Sequence, residues 1–336
     1  MRTMDLGLDG GWNLSTAPAN AVRTQVEMPS QGTALQWTSR YGSVVFTAPE
    51  HGYPMDDAVG EALNARGLSC GALTLTPSKM PDASATLPNL HMRYVCQWAV
   101  DMFASVAEVR AALSSDVNLY GHNTLLGEDY THWVFRDATG QSLVVEAAGI
   151  GSPTGLHTQG LHSTQGLHLH DDPNDGVVGF GITTNEPVFE WHLANARHLQ
   201  WKRTLERTAI GIPGGYYPEE RFMRVLMTKQ AMSPPRSLQE GVAQAVAVLN
   251  TITVPMGNQY GTDSGKSSAE IGSSDHTVWG VIRDHVDPTV YFRSAENPTL
   301  QRVRLADLNL DAGAAVRTLS VSSGPWYHDA SNQLLR

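Results

Sequence analysis

The order of strand-like and helix-like segments constrains this chain most. Short β-favouring runs come first, including 35–38 and 43–46, broken by the turn chemistry of Asp9-Gly10-Gly11 and Ser30-Gln31-Gly32. A short helix is expected at 56–63, capped by Asp56 or Asp57 and closed at Gly67, before a strand over 70–75. Helical spacing then spans 90–103, and Ser105 with Glu108 makes a capping box for the next helix. The clearest hairpin pairs 132–137 with 142–146 across Ala138-Thr139-Gly140. A strand is expected at 177–184, helices at 189–205, 218–232 and 238–249, and strands at 276–284, 289–294, 300–305 and 316–321. Strands joined by hairpins, then helices, then strands again, argue an α+β fold with mainly antiparallel sheet. The strand-helix-strand alternation of a doubly wound nucleotide-binding sheet is missing.

Charge and hydropathy exclude several partners. With 33 acidic against 23 basic residues, a net charge of -10 and no basic block, nothing points to nucleic acid. No apolar run reaches the ~18 residues that span a bilayer, so a soluble chain is expected. Two cysteines, Cys70 and Cys96, are too few for a disulfide framework or zinc cluster, and buried thiols are expected in a core strand and a helix. They leave the compartment open.

Common catalytic signatures are absent: no phosphate-binding loop with Lys-Ser/Thr, no dinucleotide fingerprint, no His-Glu-x-x-His and no Gly-x-Ser-x-Gly elbow. Residues 151–176 read as a loop insertion in which a Gly-Leu-His unit occurs three times. His168 and His170 beside Asp171 and Asp172 have donors suited to a transition metal, but a solvated loop is the reading preferred, since such tracts are commonly compositional.

Seven short motifs, read in order, say more. They are Arg2-Thr3-Met4-Asp5; Trp37-Thr38-Ser39-Arg40-Tyr41; Leu63-Asn64-Ala65-Arg66-Gly67; His132-Trp133 with Asp137, Gly140 and Glu146; Thr184-Asn185-Glu186-Pro187; Ile212-Pro213-Gly214-Gly215-Tyr216 with Arg221, Phe222 and Arg224; and His276-Thr277-Val278-Trp279 with Tyr291-Phe292-Arg293. Together, over nearly the whole chain, they resemble the choloylglycine hydrolase and penicillin V acylase family, linear-amide hydrolases of the N-terminal nucleophile superfamily.

That resemblance implies one domain over 1–336, a four-layer αββα sandwich with two stacked sheets. It implies cleavage of a small-molecule N-acyl amide by an N-terminal cysteine whose own α-amine moves the proton, with no cofactor and no metal. An α-amine, with an ordinary pKa near 7.7–8.0, suits that work at neutral pH. By motif, Arg2 and Asp5 match the arginine and aspartate beside the nucleophile, Asn185 the oxyanion donor and Arg221 a second active-site arginine; Thr74 departs from the pattern, standing at a substrate-facing position where relatives tend to carry asparagine or tyrosine. Taken singly, Arg2 and Asp5 also read as a surface ion pair, Asn185 as a helix cap and Arg221 as a solvated helix residue.

The family cysteine stands ahead of the Arg-x-x-Asp motif, whereas only Met1 precedes Arg2 here. The expectation is therefore a chain without its first strand and nucleophile, inactive as given. The alternative is a non-catalytic relative that binds an amphipathic amide. The resemblance also implies a tetramer; the location is periplasmic or extracellular if a preceding segment carried a signal peptide, otherwise cytoplasmic.

Overall fold

The computed structural model describes residues 1–6, 11–48, 59–75, 78, 80–121, 131–147, 167–171, 181–203, 211–256 and 276–334. In chain order the strands and helices are β1 Arg2–Leu6, β2 Asn13–Ala17, β3 Val22–Arg23, β4 Trp37–Thr38, β5 Ser43–Thr47, β6 Glu61–Asn64, β7 Ser69–Thr74, β8 Asn89–His91, α1 Val95–Met102, α2 Val106–Ser115, β9 Asn118–Tyr120, β10 Thr131–Arg136, β11 Ser142–Glu146, β12 His168–Asp171, α3 Phe189–Arg203, α4 Pro218–Ala231, α5 Leu238–Ile252, β13 His276–Asp284, β14 Thr289–Ser294, β15 Gln301–Arg304 and β16 Thr318–Ser320.

Two sheets carry the architecture. One has the order β12-β11-β10-β7-β6-β5-β2-β16 and the other β1-β13-β14-β15, and every pairing within them is antiparallel. They stack through an apolar layer in which Trp12, Leu14, Val44, Phe46 and Leu63 meet Val278, Trp279, Val281, Val290 and Phe292. Phe46 stacks on Trp279 at 4.9 Å between centroids, and Trp12 meets the same ring edge-on at 5.3 Å. Strand alternation decides the layering. Val44 and Phe46 face the second sheet, while Val45 between them joins Val95, Trp98, Ala99, Val109 and Leu113 of α1 and α2 on the outer face. Val134 and Val144, in the β10–β11 hairpin, pack under Phe189, Leu193, Phe222 and Leu226 of α3 and α4. Helix α5 lies on β13 and β1. The result is an α+β sandwich of four layers, with the two sheets between helices.

Several local expectations need correction. Residues 61–64 are strand β6, not the end of a helix, because they pair with β5 and β7 on either side. Asp56 and Asp57, the proposed caps, lie outside the described residues. Gly67, at φ +84°, closes the β6–β7 turn, and its α-carbon faces the His285 carbonyl too closely for a side chain. The helix expected from residue 90 starts at Val95: Asn89–His91 pair in parallel with Asn118–Tyr120, and a 3₁₀ turn, Met92–Tyr94, follows. Of the strand expected at 177–184, the described residues 181–184 run outside any strand, after Gly181 at φ +76°. Within the His-rich stretch, His168–Asp171 are strand β12, at the end of its sheet, rather than loop; residues 151–166 and 172–176 lie outside the described residues. Cys70 of β7 and Cys96 of α1 form a disulfide instead of two thiols, because α1 lies on the face of β7 to which Cys70 points.

Asn64 ties this scaffold together. Its Nδ2 donates to the carbonyls of Val100 and Phe103, both at 2.8 Å, and its Oδ1 accepts from the N–H groups of Arg66 and Leu68, both at 3.0 Å. One buried amide therefore closes the β6–β7 turn and holds the end of α1. Asn64→Ala deprives four backbone groups of this partner, two of them in fully buried bonds, and should cost about 3 kcal/mol. Urea unfolding with an unchanged m-value checks this, and a loss below ~1 kcal/mol would contradict it.

Candidate active site

Strand β1 presents Arg2 and Asp5 to different surroundings. Arg2 is buried, donating to the carbonyls of Gly60 and Ala72, with Nη1 3.4 Å from Glu61 Oε2 and its guanidinium 5.6 Å from the Trp279 ring centroid. Burial pulls its pKa below the ordinary value and Glu61 opposes that shift. Arg283 of β13 pairs with the other oxygen of Glu61. Gly71 leaves room for this group: a β-carbon there would stand 3.0 Å from Glu61 Oε2 and 3.2 Å from Arg2 Nη1.

Asp5 belongs to a second network. Its Oδ2 accepts from Arg221 Nη1 at 2.6 Å and its Oδ1 from Thr277 Oγ1 at 2.5 Å. The register between β1 and β13 slips here, Met4 facing Trp279 but Asp5 facing Thr277, and this irregularity sets Thr277 opposite Asp5. Arg221 Nη2 donates to Asn185 Oδ1 at 2.8 Å, and Asn185 Nδ2 donates to the Thr74 carbonyl at 2.8 Å. Thr277, Asp5, Arg221, Asn185 and Thr74 thus form one hydrogen-bonded chain across both sheets and α4.

Four of the five sequence-nominated residues meet in this chain, and Arg2 lies in the Glu61 network. Arg2 and Asp5 are not a surface pair with each other, since Glu61 and Arg221 hold them. Arg221 has 12% of its side chain exposed, so it is not a solvated helix residue. Asn185 is not the cap of α3: the Phe189 N–H at the start of that helix is held by both oxygens of Glu146, at 3.0 and 3.1 Å. Thr74 enters through its backbone carbonyl. Sequence reasoning missed Glu61, and it quoted Thr277 in a motif without giving it a role. One turn after Arg221, Arg224 binds the carbonyls of Pro213, Thr251 and Gly215, which explains the Ile-Pro-Gly-Gly-Tyr motif as a loop tied to α4.

Glu146, at the end of β11, is a buried anion. His132 faces it in the hairpin register and places Nδ1 3.1 Å from Oε1; His170 of β12 places Nε2 3.4 Å from Oε2. Burial alone would raise the carboxyl's pKa, but the hydrogen bond with His132, the nearby His170 ring and the Phe189 N–H outweigh it and hold the value at about 2. Asp171 pairs with Arg110 at 2.8 Å. His170 and Asp171 are thereby engaged within the fold, and among the described residues no group of three or more His, Cys, Asp or Glu is disposed to hold a metal.

A family model described as linear amide C-N hydrolases, choloylglycine hydrolase family, matches residues 1–318. A bile salt hydrolase/transferase of Clostridium perfringens is 24% identical over 285 residues, 77% of this chain and 75% of that protein. A penicillin V acylase of Pectobacterium atrosepticum is 23% identical over 325 residues, 92% of this chain and 77% of that protein. The solved structure of penicillin V acylase from Agrobacterium tumefaciens superimposes with a TM-score of 0.69 at 24% identity, covering 95% of this chain and 86% of that one.

The depressed pKa of Glu146 has a consequence for acid stability. A carboxyl whose pKa is lower folded than unfolded contributes stability that is full above the ordinary value of 4.5 and is lost as pH falls toward about 2. Melting temperature should therefore drop across that window in the parent. Glu146→Gln should melt lower at pH 7 and show a shallower acid dependence; parallel profiles in the two proteins would rule out this role for Glu146.

Proposed function

Because the chain belongs to the choloylglycine hydrolase family of linear amide C-N hydrolases, we propose that it hydrolyses a small-molecule N-acyl amide beside the Asp5–Arg221–Asn185 network. The observation that carries this reading is the network itself. An aspartate, an arginine and an asparagine from distant parts of the chain are held by mutual hydrogen bonds of 2.6 and 2.8 Å.

In this reading a cysteine thiolate attacks the amide carbonyl and its α-amine takes and returns the proton. The amine product leaves, and water then hydrolyses the thioester. Asn185 spends one N–H of its amide on the Thr74 carbonyl, and its second N–H is the one that donates to the carbonyl oxygen as charge develops there. Arg221 holds the Asn185 oxygen, fixing which way the amide points, and its charge favours a nearby thiolate.

Cys70 and Cys96 are joined to each other, so neither supplies the free thiol that this reading requires. The open side of β1 supports a preceding strand: among the described residues β1 pairs only with β13. The engaged cysteines equally favour a second reading, a non-catalytic relative that binds an amphipathic amide. Reading the coding DNA upstream of Met1 separates the two. An in-frame cysteine, and hydrolysis of a chromogenic acyl amide by the extended protein after processing, supports the amidase; a stop codon before any cysteine supports the binder.

In the active form, Asn185→Ala should lower kcat by roughly 100- to 1000-fold with little change in KM, because its contact strengthens only in the transition state. Arg221 separates charge from geometry. Arg221→Ala should lower kcat and move the acidic limb of the pH–rate profile upward, whereas Arg221→Lys, which keeps the charge but not the fork, should lower kcat alone. Asn185→Ala with parental turnover would refute the oxyanion assignment.

A further inference from the structure

Asn185 lies in a short segment whose other fixings are not explained by the network it joins. Its backbone carbonyl is 3.2 Å from His192 Nε2, one turn into α3. His192 is buried, and its ring stacks on Phe222 with centroids 4.7 Å apart and planes 16° apart. Phe222 follows Arg221, so the ring that touches the Asn185 carbonyl also packs on the helix whose arginine holds the Asn185 side chain. At the near end of α3, Glu146 holds the Phe189 N–H. The segment from Asn185 to His192 is therefore pinned at three points: the asparagine amide, the helix start and the histidine ring.

The chemistry of the ring fixes its role. A carbonyl oxygen only accepts, so Nε2 must carry the proton. Burial holds the His192 pKa below its ordinary value, which makes the neutral Nε2–H tautomer the resident form at neutral pH. Glu146 is anchored in turn by His132 and His170, so the clamp reaches back through β10, β11 and β12.

We propose that His192 is a positioning residue for Asn185, donating from Nε2 to the Asn185 carbonyl and so setting where the asparagine amide points. Glu146 supports it by fixing the start of α3. The turnover part of this inference rests on the amidase reading; the geometric part does not. His192 makes two kinds of contact, a hydrogen bond and a ring stack, and two substitutions separate them. His192→Phe keeps a ring on Phe222 and removes the donor. His192→Gln removes the ring and retains an N–H that reaches for the carbonyl.

The test uses the whole chain labelled with ¹⁵N-asparagine, the Asn185 side-chain amide signals being assigned by their loss in Asn185→Asp. His192→Phe should shift or broaden these signals, while His192→Gln leaves them near the parental positions. In the form that hydrolyses an acyl amide, His192→Phe should lower kcat about tenfold with KM within twofold, and His192→Gln should stay within about threefold of the parent. The reverse pattern, Phe benign and Gln disruptive, makes His192 a packing residue and overturns the proposal. Unchanged Asn185 signals in both variants overturn it as well. Should His192→Phe fail to fold, Glu146→Gln serves in its place, with the same signals expected to move and their constancy counting against the clamp. Absence of hydrolysis by the parent and its extended form counts against the amidase reading alone, and the NMR comparison still decides this one.

Discussion

A guanidinium buried between two sheets must be neutralised where it lies, and in this fold that requirement joins the sheets. Arg2 comes from β1 and Arg283 from β13, both in the four-stranded sheet, while Glu61 comes from β6 in the eight-stranded one. Moving a buried ion out of water costs several kcal/mol, and losing one partner leaves the other uncompensated. The carboxylate therefore acts as a registration point: the sheets cannot slide past each other without stranding charge. Gly71 beside it keeps the space open, and the Trp12–Trp279–Phe46 stack seals the same layer with apolar surface. Because β1 is fixed through Arg2, Asp5 is delivered to Thr277 and Arg221 three residues later.

Much of the architecture was legible because its elements carry strong local patterns. The 132–146 hairpin, the capping box at Ser105 and the proline-started helix at Pro218 stand as expected. Residues 61–64 show where local reading fails. Glu-Ala-Leu-Asn favours a helix by propensity, and Asn64 with Gly67 imitates a helix end, but two flanking strands impose extension and the asparagine caps a turn instead. The start at Asn89 fails for a related reason. The Asn89 side chain is drawn to the carbonyls of Ser84, Gln31 and Thr33, which keeps that backbone extended before the helix begins.

The candidate site was legible as residue types in order, not as contacts. Arg-x-x-Asp suggested a pair, whereas an extended strand sends residues three apart to different faces, so Arg2 found Glu61 and Asp5 found Arg221. Thr277 could not be given a role from sequence, since its place opposite Asp5 depends on a register slip between strands far apart in the chain. Glu146 was within reach: counting back from the Ala138-Thr139-Gly140 turn sets it opposite His132, a histidine and a carboxylate at one hairpin position. His192 had no such signal, because its partner is a backbone carbonyl.

The Asp5–Arg221 contact joins residues separated by 216 positions, Thr277–Asp5 by 272 and Asn185–Thr74 by 111. No fragment shorter than the stretch from Asp5 to Thr277 contains the whole network. Long-range contacts form only after the entropy of closing large loops has been overcome, so folds dominated by them tend to assemble slowly. The complete site is accordingly a late product of folding: a partly folded chain can hold the Arg221–Asn185 contact, 36 residues apart, but not the contacts to Asp5, Thr277 and Thr74, and a proteolytic nick that releases either end removes Asp5 or Thr277 from the network. Site integrity and global cooperativity are, for this molecule, the same property.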